Sequence, residues 1–369
     1  MTNTGADPDP QDQKPKLYQS KLTSSFFRPK HGSRDDTTSP FFYKSVSETS
    51  NNQSDTAIFP QNESDSAKTP INLHPERRSN LARPPPSLKP TRSVMLAHTA
   101  AETKALLPNV LKTTSKAPAD GILCHPGNLS RLGSRSCPRL PQTAIRVLNA
   151  DTIDAAIDLS TPTVFHLPKK PVLVLNMANA HHSGGGWLHG SLAQEEAMCY
   201  RSSLSFTLKF KHYPIPEAGG IYSPTVVVIR ENMSSGHGLK DLSKPDDLPV
   251  FSCVSVAAIR GPAVVKDAPG NERYKRTSDR EYMKEKMRVV LRVAAVNGHR
   301  ELVLGALGCG AFANPRGEVV GCWKEVFTES EFQGGWWEQI VFAVMESGGT
   351  KDGSDNFGVF YKGLNGMMV

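Results

Sequence analysis

PVLVLNMANAHHSGGGWLHGSLAQEE (171–196) is the stretch on which the reading of this chain turns. Its first nine residues, PVLVLNMAN, form a near-continuous apolar run, the pattern of a strand buried on both faces. That run leads into Gly184, Gly185 and Gly186. Ordering glycine in regular structure costs roughly 0.5–1 kcal/mol more than alanine, so three in a row need a reason. Ser191 and Gln194 have the S-x-x-Q spacing of a capping box, so a helix is expected to begin near Ser191. Glu195 and Glu196 then fall in its first turns.

A strand that ends in glycines and re-enters as a helix is a ligand-binding arrangement in open α/β sheets, where ligands sit beyond the carboxyl ends of strands. Bare glycine backbone lets N–H groups approach an anion, and a helix N-terminus adds partial positive charge. ELVLGALGCGAF (301–312) repeats the pattern, a strand followed by Gly308, Cys309, Gly310, Ala311 and Phe312. Two such loops are expected to clamp a diphosphate. The triple glycine alone also reads as a flexible turn; the second loop favours the phosphate site. Neither GxGxxG opening a helix nor GxxxxGK[ST] is present, which removes the main support for hydride or phosphoryl transfer. Adjacent helical residues point about 100° apart, so Glu195 and Glu196 cannot flank a bond from opposite sides, but they can share one side of a substrate. Taken alone, the pair reads first as a complement to the helix dipole. A catalytic acid needs a raised pKa, which apolar surface such as Phe312 or Trp187 could supply.

Further out, SVMLAHTAAETKALLPNVL (93–111) has helical composition up to Pro108, and AIRVL (144–148) reads as a strand. Asp151 and Thr152 can cap a helix over TIDAAIDL. TVVVIRE (225–231), CVSVAAI (253–259) and EQIVFAV (338–344) read as strands. SDREYMKEKMRVVLRVAAVNG (278–298) is an amphipathic helix, with a Ser278–Glu281 capping box and an Asn297–Gly298 stop. Another helix is expected from about Glu318. Alternating strands and helices give a three-layer α/β fold with helices on both faces of the sheet. Residues 1–92 are rich in Ser, Thr, Asn, Asp and Pro, and are expected to form a disordered tail. All four tryptophans lie in the globular domain expected over 93–348, and 349–369 is a polar, glycine-rich extension without an assigned structure.

The 369 residues carry a net charge of +7, a mild basic bias that permits a polyanionic partner without demanding one. Six scattered cysteines, Cys124, Cys137, Cys199, Cys253, Cys309 and Cys322, form no CxxC pair and signal neither zinc nor a redox motif. His181-His182 lacks a carboxylate or cysteine partner at metal-ligand spacing and reads as a loop pair. No signal peptide and no run of about 18 apolar residues is found, so an intracellular protein, nuclear or cytoplasmic, is expected. Within the tail, QSKLTSSFFRPK (19–30) resembles a sliding-clamp binding peptide over 19–27, with Phe26 and Phe27 one place late.

Three glycines, a seven-residue spacer and QEE resemble the signature of the poly(ADP-ribose) glycohydrolases. VLNMANAHHSGGG and LVLGALGCGAFANP are similar to the bacterial, or microbial, branch, which also occurs in fungi. The resemblance covers roughly 93–348 and implies a macrodomain-like mixed sheet. By position it makes Glu196 the catalytic acid and Glu195 the ligand of ribose hydroxyls beside the scissile bond, with Gln194 holding the loop. Gly184, Gly185 and Gly186 would contact the diphosphate, and Gly308–Phe312 would form the second diphosphate loop, with Phe312 near the ribose. Asn176 fits the family's strand-end asparagine, Asn179 a ribose contact, and Asp151 an acidic adenine contact. Two departures are Ser183, where many bacterial members have proline, and the His181-His182 pair.

The resemblance implies hydrolysis of ribose–ribose bonds in poly(ADP-ribose), with Glu196 donating to the leaving 2′-oxygen and then activating water. It implies no organic cofactor and no metal. A non-catalytic ADP-ribose reader and a hydrolase of a different ADP-ribosyl–protein linkage are the alternatives; a pure reader has no need of QEE. Partners expected are the polymer, ADP-ribosylated proteins and the sliding clamp, for a monomeric protein in the response to DNA damage.

Overall fold

A computed structural model describes residues 90–114, 117, 120–160, 170–268 and 271–369. The sequence-expected tail, up to residue 89, and its clamp-like peptide lie outside the described residues.

Helices are α1 (Arg92–Thr113), α2 (Thr152–Ser160), α3 (Gln194–Arg201), α4 (Leu204–Thr207), α5 (Thr277–Val296), α6 (Arg316–Thr328) and α7 (Asn356–Leu364). Strands are β1 (Ile122–Cys124), β2 (Arg146–Leu148), β3 (Leu173–Met177), β4 (Gly220–Val227), β5 (Val250–Val256), β6 (Val264–Lys266), β7 (Glu272–Tyr274), β8 (Glu301–Leu304) and β9 (Gln339–Ala343). Seven strands form one sheet in the order β1-β4-β5-β3-β8-β9-β2, while β6 and β7 pair separately. The sheet is mixed: β1–β4 and β4–β5 are antiparallel, and the pairs from β5 to β2 are parallel.

The apolar strands alternate between two cores, as the two-residue period of a strand requires. Leu173, Leu175, Val254, Leu302, Leu304, Ile340 and Phe342 face the side packed by α5, α6 and α7. Val174, Cys253, Val303, Val341 and Ala343 face the side that includes Leu96 of α1, Ile153 of α2 and Met198 of α3. The expected three layers are therefore present. Because β5, β3 and β8 are parallel neighbours, the chain leaves all three at the same edge of the sheet. The loops that follow them build the site.

Several boundaries differ from the sequence reading. α1 continues through Pro108 to Thr113. Pro108 and Lys104, whose carbonyl loses its usual donor, are both exposed, so water can serve that carbonyl. The strand expected over 225–231 runs instead from Gly220 to Val227. It accommodates Pro224 through a register shift between Ser223 and Val226. β5 starts at Val250 and ends at Val256, which frees Ala257–Ile259 to form a strand exit. Neither capping box forms: α5 follows Arg276 and α3 follows Ala193, both without a side-chain cap. Gln194 is diverted to β3 instead. Asp151 does cap α2, accepting from the N–H groups of Ile153 (2.8 Å) and Asp154 (3.1 Å). The 349–369 segment joins the core: Phe357, Phe360, Leu364 and Val369 pack into it, and Met368 bridges to Ala144.

Candidate functional site

β3 pairs with β8 only through Leu173 and Val174. Beyond them its odd-numbered residues lose a partner, and Gln194 supplies one. Its side-chain oxygen accepts from Met177 N (2.9 Å), and its Nε2 donates to Leu175 O (2.8 Å). This side-chain substitute for a strand anchors the start of α3 at the carboxyl end of β3.

The chain between them turns on Asn179, whose Oδ1 accepts from the backbone N–H groups of His181 (2.9 Å) and His182 (3.1 Å). Gly185 N then donates to His182 O at 3.0 Å. Gly185 sits at φ +59°, a backbone conformation that side chains rarely adopt, and an added Cβ would overlap Glu196 Oε1. Bare backbone is needed here because a carboxylate lies against it. Gly186 N donates to that same Glu196 Oε1 at 2.9 Å, and the Gly184 N–H supports the Glu195 carboxyl. All three glycine N–H groups are thus committed within the protein. In this structure the loop cradles the two acids.

Those acids differ in environment. Glu195 is 3% exposed. Its Oε2 accepts from Asn179 N (2.8 Å) and its Oε1 from Asn176 Nδ2 (3.2 Å). Burial pushes its carboxyl up to about 8 against the opposing effect of those hydrogen bonds. Glu196 is half-buried and faces a cleft of about 290 Å³. Glu195 is thus the more enclosed of the two acids. Trp187 is buried edge-to-face against Tyr200, with ring centroids 6.2 Å apart, and is absent from the cleft lining.

One wall of the cleft is 177–179 and 193–196; the other is Ala258, Arg260, Ala306, Gly308 and 310–312. Gly308 holds the second wall in place. It lies at φ +76°, where an added Cβ would be 2.6 Å from Ala258 Cβ and 2.5 Å from Asn314 Nδ2. Asn314 Nδ2 donates to Ile259 O (2.7 Å) and Gly308 O (3.1 Å), and its Oδ1 accepts from Tyr274 Oη at 2.9 Å. The loops after β5 and β8 are thereby joined through one amide. Among the described residues, the N–H groups of Gly310, Ala311 and Phe312 have no partner. Three consecutive donors on a cleft wall make an anion-binding concavity.

The remaining expected site residues are divided. Asn179, Gln194, Gly308, Gly310, Ala311 and Phe312 line the cleft with both glutamates. Asn176 is fully buried beneath Glu195, bonded also to Ser255 Oγ at 3.0 Å, so it positions the acid from outside the cleft lining. Cys309 turns to the core, where burial pushes its thiol up to about 12. Asp151 is outside the cleft lining, in an ion pair with Arg201 Nη1 at 2.5 Å. His181 and His182 are exposed, and no group of three or more metal-ligating side chains occurs among the described residues. Sequence reasoning missed Asn314 and Arg260. Asn314 reads as an ordinary turn residue, and nothing in the spacing joins it to Tyr274 or Ile259. A second depression, about 350 Å³ between Arg131, α5 and the end of α6, is lined by charges such as Arg288–Glu329 and Arg292–Glu331 that pair with one another. None of the described helices is long and apolar enough to cross a membrane.

Residues 101–231 match the family model for the catalytic domain of microbial-type PARG. No curated protein matches. Among solved structures, the chain is similar to poly(ADP-ribose) glycohydrolase from Thermomonospora curvata, at 24% identity and a TM-score of 0.57, over 73% of this chain and 99% of that one. The same enzyme bound to the inhibitor ADP-HPD is similar at 23% identity and a TM-score of 0.55, with the same coverage. The Deinococcus radiodurans enzyme in complex with ADP-ribose is similar at 26% identity and a TM-score of 0.54, over 70% of this chain and 97% of that one.

Proposed function

We infer that this chain is a poly(ADP-ribose) glycohydrolase of the microbial type, which hydrolyses ribose–ribose O-glycosidic bonds and releases ADP-ribose. The observation that carries the reading is the pair of adjacent carboxyls, one buried and one half-exposed, across a single cleft from three unpartnered backbone donors.

In this reading the diphosphate lies on the N–H groups of 310–312, and Phe312 packs beside the ribose. Glu195, held protonated by its burial, grips ribose hydroxyls. Asn176 and Asn179 fix its position through both carboxyl oxygens. Glu196, oriented by Gly186 N, donates a proton to the departing 2′-oxygen as an oxocarbenium-like ribose forms. The resulting Glu196 carboxylate then takes a proton from the attacking water. One acid serves both halves, as two carboxyls on one side of the bond require.

General acid–base catalysis is typically worth about 10²–10⁴-fold. Glu196→Gln should lose at least that much turnover on polymer while binding ADP-ribose nearly normally. Near-normal turnover would refute the assignment. Incubating the wild type with polymer and, separately, with a mono-ADP-ribosylated protein distinguishes the readings. Release of ADP-ribose from polymer supports this one, cleavage of the protein linkage alone supports a different hydrolase, and binding without release supports a reader. The polymer as substrate favours action inside the cell, nuclear or cytoplasmic, in the response to DNA damage, by a monomer. Imaging the tagged protein after DNA breakage tests that placement, and binding of a 19–27 peptide to purified sliding clamp tests the tail.

A further inference from the structure

Phe210 is 91% exposed, while Leu208 on one side and His212 on the other are buried. A short 3₁₀ turn, Phe210–His212, lifts the ring out of the surface, with Lys209 and Lys211 flanking it. This Lys-Phe-Lys knob is tied to the loop that carries the acids. Ser183 Oγ, next to Gly184, donates to Leu208 O at 2.6 Å, and Ile215 N donates to Ala180 O at 2.8 Å. The exposed His181 and His182 lie within the same tied segment.

A substrate bond between two riboses has two sides. On the reading above, the unit being released lies toward 310–312, with its diphosphate on that wall. The leaving ribose belongs to the next unit and, on this reading, extends past Glu196 toward the glycine loop, to which the knob is tied through Ser183 and Ala180. Each unit of the polymer offers an adenine face and two phosphate charges. An exposed aromatic ring between lysines is the complement of that pair, through base stacking and phosphate attraction.

We propose that Lys209, Phe210 and Lys211 form a subsite for the neighbouring ADP-ribose unit of the polymer, with adenine stacked on Phe210 and its diphosphate drawn to the two lysines. The subsite rests on the glycohydrolase reading. Asp120 lies 3.2 Å from Lys209 Nζ and 3.5 Å from Lys211 Nζ, so its carboxylate competes with phosphate for both ammonium groups.

The test is ADP-ribose release from polymer by the full chain, alongside calorimetric binding of ADP-ribose itself. Phe210→Ala should raise KM for polymer by about five- to 150-fold, the range for losing one base-stacking platform, with kcat and ADP-ribose affinity unchanged. Phe210→Trp should restore it. Replacing either lysine with glutamine should reduce the slope of log KM against log salt by about 0.7. Asp120→Asn should lower KM, a gain that a merely structural role does not yield. The proposal is overturned if Phe210→Ala matches wild type on polymer, weakens ADP-ribose equally, or converts a dimer to a monomer in gel filtration. Should wild type release no ADP-ribose from polymer, the glycohydrolase reading falls. Retention of polymer by wild type but not by Phe210→Ala would still uphold the subsite.

Discussion

The loops after β3 and β8 are both glycine-rich, both leave parallel strands at the same sheet edge, and do opposite jobs. In the first, the N–H groups of Gly184, Gly185 and Gly186 are all spent inside the protein, two of them on the paired acids. In the second, residues 310–312 line the cleft and their N–H groups have no partner among the described residues, and an added Cβ at Gly310 would meet open space. Buried backbone donors must be satisfied somewhere. Following where each one goes separates a loop that presents catalytic groups from one that receives a ligand, which glycine content alone cannot do.

The largest effect should come from adding one methyl group to the first loop. Gly185→Ala would force a Cβ onto Glu196 Oε1 at a positive φ. Displacing a catalytic group by about 1 Å can cost about 10²-fold. Turnover on polymer should therefore fall by about that factor, with ADP-ribose affinity less affected because the diphosphate wall is untouched. Gly310→Ala is the matched comparison: its methyl group has room within the protein and would meet only the ligand, so it should cost ADP-ribose affinity more than turnover. Steady-state release of ADP-ribose by the two variants measures the contrast; equal losses would break the distinction between the loops.

Next is the amide that pins the second loop. Asn314→Ala would leave Tyr274 Oη and Ile259 O without their shared partner. Unsatisfied buried groups cost about 1–3 kcal/mol, so chemical denaturation should show a loss of that order. KM should rise more than kcat falls, because the wall binds and does not transfer protons. A fall in kcat with KM unchanged would place catalytic work on that wall.

The frame of this site was legible from residue patterns. The apolar run at 171–179, the two glycine loops and QEE located two strand ends and one helix. The internal economy of the site was not. Gln194 has the spacing of a capping residue, yet the divergence of β8 from β3 beyond Val174 offers its amide better partners. The family resemblance makes Asn176 a ligand contact, but even-numbered residues of β3 send their side chains, like that of Val174, to the face packed by α3, which places Asn176 under Glu195. Asn314 joins segments about 40 and 55 residues away, a pairing that no local spacing encodes. Which glutamate loses its water was likewise invisible, because adjacent identical residues differ only in the direction of their side chains.

That last difference sets the smallest predicted effect. The Glu195 carboxyl titrates near 4.5 without burial and is held up to about 8 in the fold. Between those values the unfolded chain has lost this proton and the folded chain has kept it, so stability falls as pH rises across the window. The contribution is complete below about pH 4.5 and gone above about pH 8. Glu195→Gln mimics the protonated form and cannot titrate. Thermal melts of wild type and Glu195→Gln from pH 5 to pH 8 should therefore converge at the acid end and separate at the alkaline end, where the variant is relatively more stable. The same melts on Glu196→Gln provide the comparison: if removing Glu196 flattened the wild-type pH dependence and removing Glu195 did not, the buried acid would be the wrong one of the pair.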